Sequence, residues 1–218
     1  MTTRPDELRA FSDKVDTTAE GELRRKQLLD SAARLFASQG FENTTMTDIA
    51  RRARLKKASV YHYFPSKQSI LLEVLADGMS QLWEEGRKAA RILDPVERLD
   101  ALLAAHLSNF SQKLPHVVVF LLERHVLEPI SNQEPQAVDY LAQRRAYDHL
   151  FSDAIRDGQE VGVFRPGNPV LLSYAILGMV NWMVQWYRED GPMSLAEISS
   201  VFRQCALAAV RAPDPAAS

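Results

Sequence analysis

The chain has a single cysteine, Cys205, among 218 residues. No disulfide can close within it, so a cross-linked secreted scaffold is excluded and a reducing compartment fits. The flanking Phe202, Ala206 and Leu207 place the thiol in a core. There is no glycine-rich phosphate loop and no G-x-S-x-G elbow, which removes the common nucleotide-binding and serine-hydrolase signatures. The five histidines, His62, His106, His116, His125 and His149, include no H-x-x-x-H pair and have no cysteine partner. They read as surface or hydrogen-bonded core residues, so neither a metal site nor a catalytic site is expected, and no cofactor is implied. The N-terminus has no apolar h-region and does not read as a signal peptide. Residues 1–21 are polar and irregular and are expected to form a flexible arm. Arg4 and Arg9 could reach a phosphate or the minor groove, but Asp6, Glu7 and Asp13 oppose that. No strand alternation and no internal repeat occurs, so the fold class is all-α.

What is present is a core and a lopsided charge. Hydrophobic residues make up 46% and charged residues 25% of the chain, with a net charge of −2. Between Glu22 and Lys67, however, ten Lys/Arg face four acids, a local +6 that leaves −8 for the rest. A basic module on an acidic body points to one end that meets a polyanion.

About nine helices are expected. The first runs from Glu22 to Ser38, with Leu28, Ala32, Leu35 and Phe36 at helical spacing and Gly40 as its stop. Thr45 opens the second, and Asp48 three residues on completes a capping box. The third spans Lys57–Phe64, and Pro65 breaks it. Ser66 caps a long fourth helix, Lys67 to Ile92. Asp94-Pro95 starts the fifth, which ends near Lys113, and Pro115 starts the sixth. The seventh runs from Pro135 to Asp157, where Gly158 ends it. Val161–Phe164 is a loop with an apolar anchor. The eighth spans Pro169–Tyr187 and the ninth Leu195–Arg211, capped by Ser194 and Glu197. Residues 212–218 form a disordered tail. The domain reading is therefore 22–66 for the basic module and 67–211 for a helical body.

Val170–Tyr187 is an uncharged run of membrane-spanning length. Ser173, Asn181 and Gln185 interrupt it, and no basic clusters flank it. A helix buried in a core and a subunit interface accounts for it better than a membrane span.

Thr44–Lys67, TTMTDIARRARLKKASVYHYFPSK, has the form of a helix-turn-helix. Such a motif lays its second helix in the major groove of double-stranded DNA, while the first crosses the backbone. Thr45 and Thr47 open the first helix, where hydroxyls and free N–H groups suit phosphate. Lys56 and Lys57 sit at the turn and the start of the second helix. Ala58 and Ser59 are small enough for close approach. Tyr61, His62 and Tyr63 follow, and three adjacent residues of a helix cannot all face inward. At least one large ring is therefore exposed beside lysines. Phe64 is core, and Lys67 faces the DNA backbone.

This stretch closely resembles the signature of the TetR (tetracycline-repressor-like) family, over about residues 22–75. The resemblance implies base contacts from Thr47, Lys57, Ala58, Tyr61 and Tyr63, and phosphate contacts from Thr45, Ser59, Tyr61 and Lys67. It also implies a C-terminal ligand-binding and dimerisation body, with the last two helices packed on their symmetry mates. Two departures stand out. Arg54 occupies the usual turn glycine, and Lys56 replaces the common serine at the cap of the recognition helix. Further on, DGQEVGVFRP and EDGPMSLAEI are similar to TetR-family repressors of fatty-acid, steroid and other acyl-CoA catabolism. That similarity implies a fatty-acyl or related CoA thioester as inducer.

The expected pocket residues are Phe110, Phe120, Leu121, Arg124, Tyr147, Phe151, Asn181, Trp182 and Gln185. Trp182, with Trp186, serves equally well as core and dimer packing. Arg124 could meet a carboxylate or phosphate, or pair with Glu123 or Glu128. The chain thus reads as a cytoplasmic, homodimeric, effector-released regulator of a palindromic operator. The rival readings are an all-α lipid or acyl carrier, or an enzyme, with a non-functional DNA module, and a membrane-associated helical protein.

Overall fold

The computed structural model describes residues 19–122 and 135–213. Its helices are α1 (Ala19–Gln39), α2 (Met46–Arg52), α3 (Lys57–Tyr63), α4 (Lys67–Ala89), α5 (Pro95–Leu122), α6 (Pro135–Glu160), α7 (Pro169–Asn181) and α8 (Leu195–Val210), with a short 3-10 turn at Trp182–Gln185. No strand is found among the described residues. The chain divides into two compact units between Leu75 and Ala76, part-way along α4 rather than at Ser66.

Helix boundaries follow local chemistry. Gly40, at φ 81, ends α1 and donates its N–H to Phe36 O at 3.0 Å. Thr45 caps α2 reciprocally with Asp48, and Ser194 caps α8 with Glu197 in the same way. Each such cap contributes about 1 kcal/mol. Asp94 Oδ1 accepts the N–H groups of Val96 and Glu97 at 2.8 and 2.9 Å, and Pro95 follows at the first helical position. Ser66 Oγ accepts Ser69 N–H at 3.0 Å before α4.

In the first unit α2 packs on α1 and α3. Leu28, Phe36, Phe41, Ile49, Val60 and Phe64 form its buried centre, each large side chain stabilising the unit by about 1.5–3 kcal/mol. The Arg25 guanidinium lies 4.8 Å from the Phe64 ring centroid and pairs with Glu73 on α4. In the second unit α5 packs on α6 and α8, and α7 packs on α6 and α8.

Several boundaries differ from the sequence reading. The fifth and sixth expected helices do meet at Lys113, whose non-helical backbone (φ −140, ψ 35) divides α5 into two helices two residues before Pro115. Proline has no N–H to donate and its ring crowds the preceding turn, so the break falls there. Gly158 is not a terminator, because α6 continues to Glu160. Its absent side chain makes room for Phe164, whose ring would overlap a Cβ at this position. The 169–187 run is not one helix either. Asn168 caps α7, which stops at Asn181 and tightens into the 3-10 turn. Thirteen helical residues reach about 20 Å at 1.5 Å per residue, against about 30 Å of hydrocarbon. No described helix is long and apolar enough to cross a membrane. Cys205 is exposed rather than core, one turn beyond exposed Val201.

Phe164 is 3% exposed and pairs with Arg211 in an isolated antiparallel bridge. Arg165 N–H donates to Val210 O at 2.8 Å and Ala212 N–H to Val163 O at 3.1 Å. Ala212 is thus tied down rather than part of a tail. Residues 214–218 of that expected tail, and residues 1–18 of the expected arm, lie outside the described residues.

Candidate nucleic-acid interface and effector cavity

In the first unit, the residues between Thr44 and Lys67 separate by helical period. Met46, Ile49, Ala50, Val60 and Phe64 are buried. Thr45, Thr47, Lys56, Lys57, Ala58, Tyr61 and His62 are exposed, and Ser59, Tyr63 and Lys67 are half-buried. Lys57, Ala58, Tyr61 and His62 fall at i, i+1, i+4 and i+5, which is one face of α3. Tyr61 is 40% exposed, and the Lys57 ammonium sits 5.9 Å from its ring centroid. Tyr63 meets His62 edge-on at 5.3 Å.

The turn between α2 and α3 is built on Arg54, the only non-glycine residue with positive φ (57°) among the described residues. An L side chain in this region is strained by about 1–2 kcal/mol. Arg54 N–H bonds Arg51 O at 3.1 Å and Leu55 N–H bonds Ala50 O at 2.9 Å, so the turn keeps its closing bonds without glycine. Lys56 holds the extended N-cap conformation of α3 and supplies no side-chain cap. The first N–H groups of α3 therefore have no serine-type cap.

Thr45 is committed to its own helix. Its hydroxyl donates to Asp48 Oδ2 at 2.6 Å and accepts Asp48 N–H at 3.1 Å. The hydroxyl's bond to Oδ2, with that of the Thr45 backbone N–H, holds the Asp48 carboxyl below the usual carboxylate range. Lys67 also has internal partners. Its Nζ donates to Phe41 O at 2.7 Å and Glu42 O at 3.3 Å and lies 4.1 Å from the Phe41 ring centroid. A basic recognition face on a rigid three-helix core is the build of a DNA-reading regulator.

The second unit holds a cavity lined by His106, Asn109, Phe110, Val117, Phe120 and Asn181, among others. Of the expected pocket residues, Phe110, Phe120 and Asn181 line it. Tyr147 and Phe151 are fully buried behind it, packed on the His106 ring at 5.9 and 6.0 Å. Leu121 is half-buried and does not line it. Trp182 is 66% exposed and Gln185 is exposed. Neither lines the cavity, because the chain leaves the α7 helical path after Asn181. Arg124 lies outside the described residues.

The sequence reading missed His106 and Asn109 as lining residues. Their signal is spacing: Asn109 and Phe110 follow His106 by three and four residues on the apolar side of α5, where polar groups are unexpected. His106 bridges Asn181 Oδ1 at 2.9 Å through Nε2 and the Tyr147 hydroxyl at 3.2 Å through Nδ1. Burial pushes the His106 pKa down, against the raising effect of the Asn181 bond, and pushes the Tyr147 hydroxyl well up. Neutral imidazole therefore donates from Nε2 and accepts at Nδ1.

Beside the cavity, Asp77 on α4 pairs with Lys113 at the α5 break, and His116 Nε2 lies 3.3 Å from Asp77 Oδ2. Gly78 makes this close packing possible, since a Cβ there would stand 3.0 Å from His116 Cβ. On α7 and α8, Leu171, Tyr174 and Val201 are 64%, 57% and 56% exposed. They form apolar faces that the second unit does not cover by itself.

Comparison with known proteins agrees with this build. Residues 28–74 match the model of bacterial regulatory proteins of the TetR family. Residues 93–210 match the tetracyclin repressor-like C-terminal domain. The HTH-type transcriptional repressor KstR2 of Mycolicibacterium smegmatis is 31% identical over 192 residues, 86% of this chain and 90% of that protein. The solved TetR-family regulator PfmR of Thermus thermophilus is 34% identical with a TM-score of 0.72, covering 83% of this chain and 97% of that one. AibR, solved in complex with isovaleryl coenzyme A and operator DNA, is 27% identical with a TM-score of 0.74, covering 84% and 97%. The fold and the exposed recognition helix define a DNA-binding transcriptional regulator. The chain belongs to the TetR family.

Proposed function

We propose that the protein is a homodimeric repressor that leaves a palindromic operator when an acyl-CoA or similar hydrophobic effector fills its second unit. The observation that carries this reading is the apolar cavity around the His106–Asn181 pair. It lies in a chain that shares its fold with AibR, which was solved with isovaleryl coenzyme A and operator DNA. A buried polar pair in an apolar shell orients a ligand while the shell supplies affinity. The effector must bind the released conformation better than the DNA-binding one, or the equilibrium does not move.

On DNA, Thr47, Lys57, Ala58, Tyr61 and Tyr63 read base edges, and Thr45, Ser59, Tyr61 and Lys67 hold phosphates. The exposed apolar faces of α7 and α8 pair with those of a second copy. That pairing sets two recognition helices about 34 Å apart, one turn of DNA. The protein acts in the cytoplasm and catalyses no reaction.

A gel shift on the DNA upstream of its own gene, with and without a panel of acyl-CoAs, tests the reading. The expected result is a dimer-sized shift that a CoA ester abolishes. The absence of a shift at low salt would overturn the repressor. A shift insensitive to every CoA ester would overturn the effector class alone.

A further inference from the structure

The effector cavity is nearly closed. It leaves about 10 Å³ of free space, room for about one water, whereas small-molecule sites run to about 300–1,000 Å³. Immediately outside it, between α4 and α5, runs an open groove of about 600 Å³. Its α5 side is floored by Ala101, Ala104, Ala105 and Ser108, and its α4 side carries Gln81, Glu85 and Lys88. A tight recess with no free space for a water lies between the two. It shares Ala105 and Ser108 with the groove, and Leu82 and Asn109 with the cavity. Leu82 and Asn109 are therefore the partition, one residue from each helix.

Asn109 is an unusual partition. It is 9% exposed, and its side chain makes no hydrogen bond to any described residue. The amide atoms themselves are within reach of solvent, because they are not among the buried atoms left without a partner. Its neighbours have their own bonds: His106 is held by Asn181 and Tyr147, and Lys88 by Glu85 at 2.7 Å. Asn109 thus offers both a donor and an acceptor to something that enters from the groove.

Resting on the effector reading above, we infer that the α4–α5 groove is the entrance and the seat of the effector's polar part, and that Asn109 takes the effector's carbonyl. An acyl chain passes Leu82 and displaces Phe110 and Phe120 to enlarge the cavity. The thioester carbonyl accepts from the Asn109 amide. The CoA portion lies along the alanine floor towards Lys88. The small residues at 101, 104 and 105 have a purpose in this arrangement, because a larger side chain at any of them would obstruct the groove.

The test is calorimetric binding of isovaleryl-, octanoyl- and palmitoyl-CoA to the full chain and to two variants. Asn109→Leu keeps the volume and removes the amide. Ala105→Trp fills the groove from its half-exposed floor and does not depend on the buried site tolerating change. Both are expected to weaken the best-binding ester at least tenfold while operator affinity stays within twofold and the thermal melt stays cooperative. Unchanged ester binding by Ala105→Trp overturns the groove, and unchanged binding by a folded Asn109→Leu overturns the carbonyl contact. If none of the three esters binds the unaltered protein, the thioester reading itself fails and this assignment falls with it.

Discussion

His106 donates from Nε2 to Asn181 Oδ1 across 2.9 Å, and the Tyr147 hydroxyl closes the other side of the ring at 3.2 Å. The bond joins α5 to the last residue of α7, at the point where that helix unwinds. The ring is buried and its pKa is lowered, which makes the bond a pH-dependent part of the fold. Above about pH 6.5 the ring is neutral in both folded and unfolded chains. As pH falls below that value, the unfolded chain takes up a proton that the fold refuses. Stability is then lost, by up to about 1.4 kcal/mol per pH unit. His106→Gln removes this titration. Urea midpoints at pH 7.5 and 5.5 should show the gap between wild type and variant narrowing at the lower pH. An equal gap at both would mean the ring titrates in the fold as it does in the unfolded chain.

The niche at Gly158 makes a second prediction. A methyl there must displace the Phe164 ring, and overpacking of this kind costs about 1–3 kcal/mol. Gly158→Ala should lower the melting temperature accordingly. Adding Phe164→Leu should recover part of the loss, so that the double-mutant cycle is non-additive. Strict additivity of the two changes would show that they do not meet.

Arg54 tests the turn. Arg54→Gly relieves about 1–2 kcal/mol of left-handed strain and gives back about 0.5–1 kcal/mol in chain entropy. A small net stabilisation is expected. Arg54→Val, which is β-branched, should destabilise by more than about 1 kcal/mol. Thermal unfolding of the two variants gives opposite signs if the turn is strained, and the same sign if it is not.

Lys67 and Tyr63 separate positioning from reading. Lys67→Ala should weaken operator binding for every sequence and flatten its salt dependence. It should also cost about 1 kcal/mol of stability, because the carbonyls of Phe41 and Glu42 lose their donor. Tyr63→Ala should alter base preference at one operator position. Equal loss on all operator variants would move Tyr63 from base edge to backbone.

The sequence was most legible where one residue settles a local conformation. Thr45 with Asp48, Asp94 with Pro95, and Ser194 with Glu197 each announce a helix start, because a short polar side chain has few other ways to satisfy the first N–H groups. The recognition face was legible because Tyr61, His62 and Tyr63 could not all be buried. Gly158 misled because a glycine serves equally for a left-handed turn and for a close approach, and only tertiary packing distinguishes them. Cys205 misled because apolar flanks do not give the phase of a helix, and its place one turn from Val201 sets it on the uncovered side. Trp182 and Gln185 were assigned to the cavity on the assumption of a continuous helix. The 3-10 turn after Asn181 carries them off that path. Nothing local to Asn109 announces its role, since its place between cavity and groove exists only once α4 and α5 have packed.

The bridge between Phe164 and Arg211 has a consequence for how the second unit opens. A terminal helix ordinarily frays from its free end, one residue at a time. Here the end of α8 is latched by the Arg165–Val210 and Ala212–Val163 bonds, and the strand-like partner is pinned in the Gly158 niche. Peeling α8 therefore requires a cooperative event that also lifts Phe164 off α6. In hydrogen-exchange terms, the amides of Arg165 and Ala212 should exchange together, through a sub-global opening rather than end fraying. A fold assembled mostly from local helical contacts thus closes one long loop.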